Sequence, residues 1–240
     1  MSGWHEGALA GFDLETTSAD PETALIVTAA IVTHAGVRKP DITKWLVNPG
    51  IEIPAEATAV HGITTEMARA KGVEPHIAAY EISAKLSSIL LEGIPLVIYN
   101  APYDLTVLDR ETRRHGQMPF ADVLSAGCPG CAVDPFALDK HLDPYRKGSR
   151  TLTAACEHYR VTLDGAHDAG ADAIAAMRVA WKVAARHPAI AAMSLTELHN
   201  LQVRAKAEQA ASFQNYLRKQ GSDEVIDGSW PVKAFAEVTV

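Results

Sequence analysis

The sequence predicts an α/β fold in which a mixed central β-sheet is flanked by helices. Three short, apolar, β-rich segments occur within the first 50 residues, and their short separators favour an antiparallel meander. Beyond residue 74, strand-like and helix-like segments alternate, which is typical of strands joined by crossover helices. A chain of 240 residues with 48% hydrophobic residues suits one globular domain with an appendage, or two small domains.

The N-terminal elements follow from β-rich runs that are bounded by turn-forming residues. The predicted strands of the meander are residues 9–13, 24–32 and 44–47. Pro49 and Gly50 end the meander, and a short helical turn begins at Pro54 and leads to His61.

The second half of the chain contains the alternating elements. Apolar residues recur at spacings of three and four over residues 74–92, which predicts an amphipathic helix that ends at Gly93. A strand over 95–99 delivers Asn100, and Asp104 falls in the first turn of the next helix. The remaining predicted elements are a strand near 132–135, a helix capped by Thr151 that runs through Tyr159, and an Ala-rich helix over 169–186.

Residues 188–240 are predicted to form a helical C-terminal extension of a domain that spans residues 1–187. The segment 195–218 is strongly helical, and its candidate apolar positions are Leu195, Leu198, Leu201, Ala205, Phe213, Tyr216 and Leu217. The favoured interpretation is a helix packed on its own domain, and the alternative is a dimer or partner interface.

Acidic residues occur in three motifs, of which the first is the most informative. Asp13 and Glu15 are two positions apart on the first predicted strand, so their side chains project to the same face. Adjacent carboxylates repel each other unless a cation neutralises them, and clusters of carboxylates suit Mg²⁺ or Mn²⁺ rather than zinc. Asp104 and the pair His167 and Asp172 follow in the chain.

This ordered set of motifs resembles the DnaQ-like 3′–5′ exonuclease family in its DEDDh branch, which includes proofreading subunits of bacterial replicative polymerases. The resemblance covers roughly residues 8–185. The matching segments are Phe12-Asp13-Leu14-Glu15-Thr16-Thr17, His61-Gly62-Ile63-Thr64, Asn100-Ala101-x-x-Asp104 and His167-x4-Asp172. Tyr103 stands where the family more often has Phe, and His167 distinguishes this branch from the one that uses tyrosine.

The resemblance implies a ribonuclease-H-like fold and hydrolysis assisted by two Mg²⁺ or Mn²⁺ ions. Asp13, Glu15 and Asp172 would share one ion, and Asp13 and Asp104 would hold or orient the second. His167 would act as the general base toward the attacking water.

The resemblance also implies contacts with the substrate. Thr16 would contact the terminal nucleotide, mostly through its backbone. His61 and Asn100 are weaker candidates, because a packing histidine and an asparagine bonded to backbone explain these residues at least as well. Asp168 is interpreted as a helix cap. The acids without a pattern are predicted in turns or on solvated faces: Asp20, Asp122, Asp134 and Asp139.

Three functions stay open from the sequence. The favoured function is a 3′–5′ exonuclease that releases nucleoside 5′-monophosphates from DNA. The same chemistry on RNA or short oligoribonucleotides is the near alternative. A catalytically silent nucleic-acid-binding module is the third, and the presence of all five motif residues argues against it. The expected partners are 3′ ends of single-stranded DNA or RNA, with a polymerase partner or a homodimer formed through the C-terminal extension.

The charge of the chain restricts how it can hold a nucleic acid. A net charge of −7 argues against sequence-independent wrapping of a phosphate backbone, but not against an enzyme that grips one strand end. Basic residues are grouped in two places: Arg110, Arg113, Arg114 and His115, and then Arg146, Lys147 and Arg150. The second group is either a phosphate contact or a solvated loop.

The cysteine spacing indicates whether a zinc site is expected, and the length of the apolar segments indicates whether a membrane span is expected. Cys128 and Cys131 have the spacing of half a zinc site, which Cys156, His141 and His158 could complete. A tight turn with two thiols is the favoured interpretation. No apolar stretch approaches the length of a membrane span, and the first fifteen residues lack a signal-peptide pattern. We therefore expect a cytoplasmic location and no membrane contact.

Overall fold

A computed structural model describes residues 3–36, 39–126, 132–163 and 165–235 of the chain. The strands of the described residues are β1 Leu9–Thr16, β2 Ile26–His34, β3 Asp41–Leu46, β4 Leu96–Val97 and β5 Ala132–Val133. They form one sheet in the order β3-β2-β1-β4-β5. The mixed central sheet that the sequence predicts is therefore confirmed.

The pairing of the strands combines a meander with parallel crossovers. β1 pairs antiparallel with β2, with Leu9 opposite His34, and β2 pairs antiparallel with β3. β1 and β4 are parallel, as are β4 and β5. The predicted meander is correct, but β1 extends three residues beyond its predicted end, through Thr16. Asp13 and Glu15 thus lie within the β1–β2 ladder and inherit its rigid geometry.

Helices connect the strands and cover both faces of the sheet. Their bounds are α1 Ala55–His61, α2 Thr65–Lys71, α3 Pro75–Leu91, α4 Ala101–Arg114, α5 Phe120–Ala126, α6 Pro135–Leu142, α7 Leu152–Tyr159, α8 Ala169–Arg186, α9 Pro188–Ala191 and α10 Leu195–Lys219. The predictions for α3, α7, α8 and α10 agree closely with these bounds. The short helices α2, α5 and α6 were not predicted. None of the described helices is both long and apolar enough to cross a membrane.

The alternation of side chains along β1 divides the described core into two main layers. Ala10, Phe12 and Leu14 point to one face, where they join the cluster that includes residues of α3 and α4. Leu9 points to the other face, where α7, α8 and α10 pack. Gly11, Asp13 and Glu15 share that second face by the same period of two. The acidic pair of β1 therefore faces the helix α8.

Gly11 allows α8 to lie unusually close to β1. A Cβ atom at this position would fall 2.7 Å from the carbonyl oxygen of Ala173 and 2.8 Å from the sulfur of Met177. Only a residue without a side chain fits there. Because Asp172 immediately precedes Ala173, this contact also sets the distance between Asp172 and the strand.

The C-terminal residues pack on the rest of the chain. Leu198 and Leu201 of α10 belong to the same buried cluster as Val133 of β5 and Val179 of α8. Phe213 and Tyr216, predicted as apolar contact positions, are instead exposed, and their rings stack with centroids 6.3 Å apart. The boundary between residues 187 and 188 stays a prediction.

Two acids that were predicted in turns or on solvated faces are buried. Asp134 and Asp139 are each 1% exposed. Asp139 forms ion pairs with Arg146 and Arg150 and accepts a hydrogen bond from the Tyr159 hydroxyl at 2.8 Å. These partners supply the charge and hydrogen bonds that burial of a carboxylate requires. The turn prediction was wrong because the partners are distant in sequence or lie in an irregular loop.

One residue of the first basic group is buried, and the other members pair with acids of α4. Arg110 is 3% exposed and pairs with Asp109 at 2.6 Å and with Glu22 at 2.7 Å. Arg113 shares Asp109, and Arg114 pairs with Glu111. Cys128 and Cys131 lie outside the described residues, and Cys156 is a buried free thiol.

Candidate active site

The site is built where the acidic pair of β1 meets the start of α8. Asp172 lies in the first turn of α8. Glu15, His167 and Asp172 each present one ligand atom, and these atoms lie within 4.8 Å of one another. The two motifs that are farthest apart in the sequence therefore meet in space, because β1 and α8 are in direct contact at Gly11.

Asp104 enters the site from the opposite side of β1. It lies in the first turn of α4, and its Oδ1 accepts a hydrogen bond of 3.0 Å from the backbone N–H of Leu14, between the two acids of β1. Asp104 is 4% exposed. This bond fixes the Asp104 carboxylate against the strand, and the charge of Asp104 raises the pKa of Asp13.

The loop before α8 places His167 at the rim of the site. His167 is exposed and has a φ of 66°, a left-handed conformation that few non-glycine residues adopt. Its backbone N–H donates to Oδ2 of Asp172 at 3.0 Å. Asp168 caps α8 through the N–H of Ala171, as predicted, and it also pairs with Lys44 of β3 at 2.7 Å. These contacts hold the end of the loop against α8 and β3.

The electrostatics of the four acids are those of a carboxylate cluster with excess negative charge. Burial is the main cause that raises the pKa of Asp13, and the charges of Asp104, Asp172 and Glu15 add to it. Burial and the charge of Asp172 raise the pKa of Glu15 to about 7. Burial also raises the pKa values of Asp104 and Asp172, against the effect of the backbone N–H bonds they accept.

These residues fit a divalent cation. The carboxylates supply oxygen ligands, which suit Mg²⁺ or Mn²⁺, and the His167 imidazole lies beside those of Glu15 and Asp172. Oδ1 of Asp172 is buried and has no hydrogen-bond partner among the described residues, so a ligand oxygen is available. A cation would also reduce the repulsion that raises the four pKa values. The ligand atoms and the charge of the carboxylate cluster are therefore suited to a bound metal ion.

The acids open into a surface cavity of about 610 Å³. Its lining consists of motif residues and of side chains from the start of α6 and the loop before α7: Asp13, Leu14, Glu15, Tyr99, Asn100, Tyr103, Asp104, Phe136, Ser149, Arg150, Thr151, Leu152, His167 and Asp172. Tyr99 and Phe136 were not predicted at the site, whereas Arg150 belongs to the basic group that was predicted as either a phosphate contact or a solvated loop. The cavity is wide and open, as a site for a strand end requires.

The hydroxyl groups of Tyr103 and Thr16 form one network at the edge of this cavity. They contact each other, and both lie within hydrogen-bond distance of the carbonyl oxygen of Ser18. Burial raises the pKa of Tyr103 to about 12, so the phenol keeps its proton at neutral pH. The Thr16 hydroxyl therefore bonds within the protein, and its contact with a nucleotide stays a prediction.

The two weaker substrate candidates occupy different positions. Nδ1 of His61 accepts a hydrogen bond of 3.1 Å from the N–H of Ile63, whereas its buried Nε2 has no partner in the part of the chain described. Burial lowers the pKa of His61, and the nearby charge of His167 contributes. Asn100 lines the cavity and begins α4 in a left-handed conformation with a φ of 65°. Their roles toward a substrate stay predictions.

Asp134 supports this site and is a further residue whose role the sequence interpretation missed. Its carboxylate accepts hydrogen bonds from the N–H groups of Asn100 at 2.9 Å and Ala101 at 3.1 Å, and it caps α6. The signal was available in part, because an Asp directly before Pro135 is a typical helix start. The contact with Asn100 could not be predicted, since it joins segments about 34 positions apart.

Comparison with protein families identifies the chain. The exonuclease family RNase_T matches residues 10–180, which include every motif residue described above. The chain belongs to this family. The relation confirms the DnaQ-like resemblance.

Curated relatives of the exonuclease domain match parts of the chain. A protein of Rhodobacter capsulatus named DNA polymerase III subunit epsilon-like protein is 40% identical over 104 residues, which are 42% of this chain and 14% of that protein. An uncharacterized exonuclease of Escherichia phage 186 is 34% identical over 47% of this chain and 53% of its own length. The DNA polymerase III subunit epsilon of Rickettsia prowazekii is 26% identical over 64% of this chain and 62% of its own. The chain therefore spans less than two thirds of each of these relatives.

Solved structures confirm the ribonuclease-H-like fold of the exonuclease domain. Exonuclease I from Methylocaldum szegediense matches with a TM-score of 0.63 and 23% identity, over 87% of this chain and 45% of that one. Exonuclease I of E. coli, solved in complex with a dT13 oligonucleotide, matches with a TM-score of 0.60 and 20% identity, over 77% and 42% of the two chains. At these identities the likeness supports the fold.

Proposed function

We propose that the chain is a 3′–5′ exonuclease that hydrolyses the terminal phosphodiester of single-stranded DNA and releases nucleoside 5′-monophosphates. The observation that carries the proposal is the convergence of three sequence motifs on one open cavity, with Asp104 and Asp172 on opposite sides of β1. Family membership supports the same chemistry.

Each motif residue has a proposed role. Asp13, Glu15, Asp104 and Asp172 would hold two Mg²⁺ or Mn²⁺ ions, which when bound lower the pKa of water and stabilise charge on the leaving oxygen. Backbone N–H groups fix two of these carboxylates: Leu14 donates to Asp104, and His167 donates to Asp172. The carboxylates are therefore already oriented toward the proposed ion positions.

His167 is the proposed general base. Its imidazole is exposed at the cavity rim, so it can take a proton from the attacking water and release it to solvent. The hydrogen bond from the backbone N–H of His167 to Asp172 keeps the imidazole ring beside the acids. Neutral imidazole is the form that accepts the proton.

The terminal nucleotide would lie across Tyr103 and the backbone of Thr16. Tyr103 and Phe136 line the same cavity and offer aromatic surface for a base. A grip on one strand end does not require the basic surface that a chain with a net charge of −7 lacks. Relatives named as epsilon subunits, and Exonuclease I solved with dT13, support DNA as the substrate class.

The test is digestion of DNA and RNA strands of equal sequence, each labelled at the 5′ end. With Mg²⁺ or Mn²⁺, we expect a ladder of shortened labelled DNA products and the release of nucleoside monophosphates. Activity should disappear with EDTA and return with added metal. Shortening from the labelled 5′ end would contradict the direction of hydrolysis, and full activity in chelated buffer would contradict the metal site.

A control variant separates the site from general effects on the fold. Asp122→Asn removes an exposed acid of α5 that is not among the lining residues of the cavity, and it should leave the rate unchanged. Asp104→Asn should abolish the rate. Faster hydrolysis of the RNA strand would favour the alternative substrate, because the same residues can serve both.

A further inference from the structure

A buried glutamine of the C-terminal helix is bonded to the backbone at the end of β5. Gln202 of α10 is 0% exposed. Its Oε1 accepts a hydrogen bond of 2.6 Å from the N–H of Asp134, and its Nε2 donates to the carbonyl oxygens of Ala132 and Leu198, each at 3.1 Å. A buried amide with three satisfied bonds fixes its partners strongly, because loss of the amide would remove the bond that the buried N–H of Asp134 donates. Gln202 therefore fixes the backbone of Asp134.

The side chain of Asp134 carries this constraint to α4. Its carboxylate accepts bonds from the N–H groups of Asn100 at 2.9 Å and Ala101 at 3.1 Å, the first amides of that helix. It also caps α6, and the indole N–H of Trp230 lies 3.4 Å from its Oδ2. One carboxylate thus joins α4, α6 and the residues that follow α10.

The position that Asp134 holds is a strained one. Asn100 has a φ of 65°, which costs a non-glycine residue free energy and persists only where neighbours hold it. Asp104 lies one helical turn beyond Asn100 and places its carboxylate on the N–H of Leu14. A small rotation of the start of α4 would move Asp104 away from the acids of β1.

We infer that Gln202 and Asp134 are positioning residues for Asp104. Gln202 orients Asp134, and Asp134 orients the first turn of α4. The C-terminal helix is then a structural part of the candidate active site, although it contributes no side chain to the cavity. The consequence for catalysis rests on the proposed function, whereas the positioning itself does not.

The test compares Gln202→Met with Gln209→Met. Methionine keeps the length of the side chain and removes its hydrogen bonds. Gln209 is the matched control, because it also lies on α10 and bonds α6 through Ala137 at 3.5 Å, with no bond to Asp134. The first measurement is amide hydrogen exchange of Asn100, Ala101, Tyr103 and Asp104 in the metal-free protein. The second is kcat and KM on the labelled DNA strand.

We expect Gln202→Met to fold and to exchange the amides of Asn100, Ala101, Tyr103 and Asp104 at least about tenfold faster than the unsubstituted protein. Its kcat should fall by roughly tenfold to a hundredfold, as displacement of a catalytic group by about 1 Å does, while KM changes little. Gln209→Met should match the unsubstituted protein in all three measurements.

Two results would overturn the inference. One is unchanged exchange and unchanged kcat in a folded Gln202→Met variant, and the other is an equal effect of Gln209→Met. If Gln202→Met does not fold, Asp134→Asn decides the question, and the same two measurements apply. The amides of Asn100 and Ala101 donate to different oxygens of Asp134, and an asparagine has only one acceptor oxygen, so one of the two bonds from α4 is lost. An inactive unsubstituted protein would contradict the proposed function and leave the exchange experiment intact.

Discussion

Asp13 lies near four other carboxylates whose charges, together with burial, raise its pKa. Asp13→Asn should abolish hydrolysis, because it removes the residue proposed to contact both ions. In chelator the same variant should melt at a higher temperature than the unsubstituted protein, since repulsion is relieved. In a chain of this size, a gain of one kcal/mol in the free energy of unfolding raises the melting temperature by about 2–4 °C. Thermal melting in EDTA checks this, with Asp122→Asn as the control, and hydrolysis near the normal rate would refute the role of Asp13.

Glu15 gives the metal-free protein a characteristic pH dependence. Its pKa rises from an ordinary 4.5 to about 7 in the folded state. Between these pH values the folded protein binds more protons than the unfolded chain, so this contribution to the free energy of unfolding falls as pH rises. Glu15→Gln should therefore gain stability over the unsubstituted protein from pH 4.5 to 7 in EDTA. Parallel melting curves across this range would show that Glu15 titrates normally.

His167 distinguishes general base catalysis from metal ligation. His167→Ala should lower kcat by about two to four orders of magnitude, the usual share of a general base. Affinity for Mn²⁺ should be largely kept, because the ligands are proposed to be the acids. Calorimetry measures this affinity, and the exposed His141→Ala serves as the control. Because the imidazole lies within 4.8 Å of Glu15 and Asp172, loss of metal affinity would identify His167 as a ligand instead.

The close contact between β1 and α8 requires a glycine at position 11, because there is no room for a side chain there. Gly11→Ala would place a Cβ atom 2.7 Å from the carbonyl oxygen of Ala173, so α8 has to move away from the strand. We expect a loss of about 1–3 kcal/mol in the free energy of unfolding. Metal affinity should also fall, because Asp172 moves with the helix. Gly7→Ala is the control, since its Cβ would have the carbonyl oxygen of Trp4 at 3.9 Å as its nearest neighbour. Equal stability of the two variants would contradict this account.

Elements with a local signal could be predicted from the sequence, and elements without one could not. Helix α8 has an Asp cap, a long apolar face and a stop before Pro188, and its bounds were predicted correctly. β4 is only two residues long, because parallel pairing with β1 ends at Val97, and no local pattern shows this. The motif residues were predicted because their spacing is itself a signal. Asp134 and Gln202 have no such spacing, since each acts through partners far along the chain.

At the scale of the whole molecule, the C-terminal residues complete the core. A chain that ends at His187 lacks Leu198 and Leu201, which cover Val133 and Val179. We expect it to lose solubility, because exposed apolar surface favours association. A chain that ends at Gly221 keeps α10 and should stay soluble. Light scattering with circular dichroism compares the two, and a soluble monomer of residues 1–187 with normal activity would show that the extension is dispensable.

The remaining predictions for the whole molecule concern its assembly. A polymerase partner, or a homodimer formed through residues 188–240, stays a prediction. The stacked rings of Phe213 and Tyr216 form exposed apolar surface on α10, and a partner that binds α10 could cover this surface.

The placement of the acids on three distant parts of the chain has a consequence for folding. β1 and β2 are neighbours in sequence and can pair early, whereas the bond between Leu14 and Asp104 closes a loop of 90 residues. Contacts of long sequence separation form late, because loop closure costs entropy before they are made. A nascent or partly refolded chain should therefore contain secondary structure before it can cut nucleic acid. The chain would then gain hydrolytic activity only when folding is complete. Incompletely folded molecules would therefore not degrade nucleic acid.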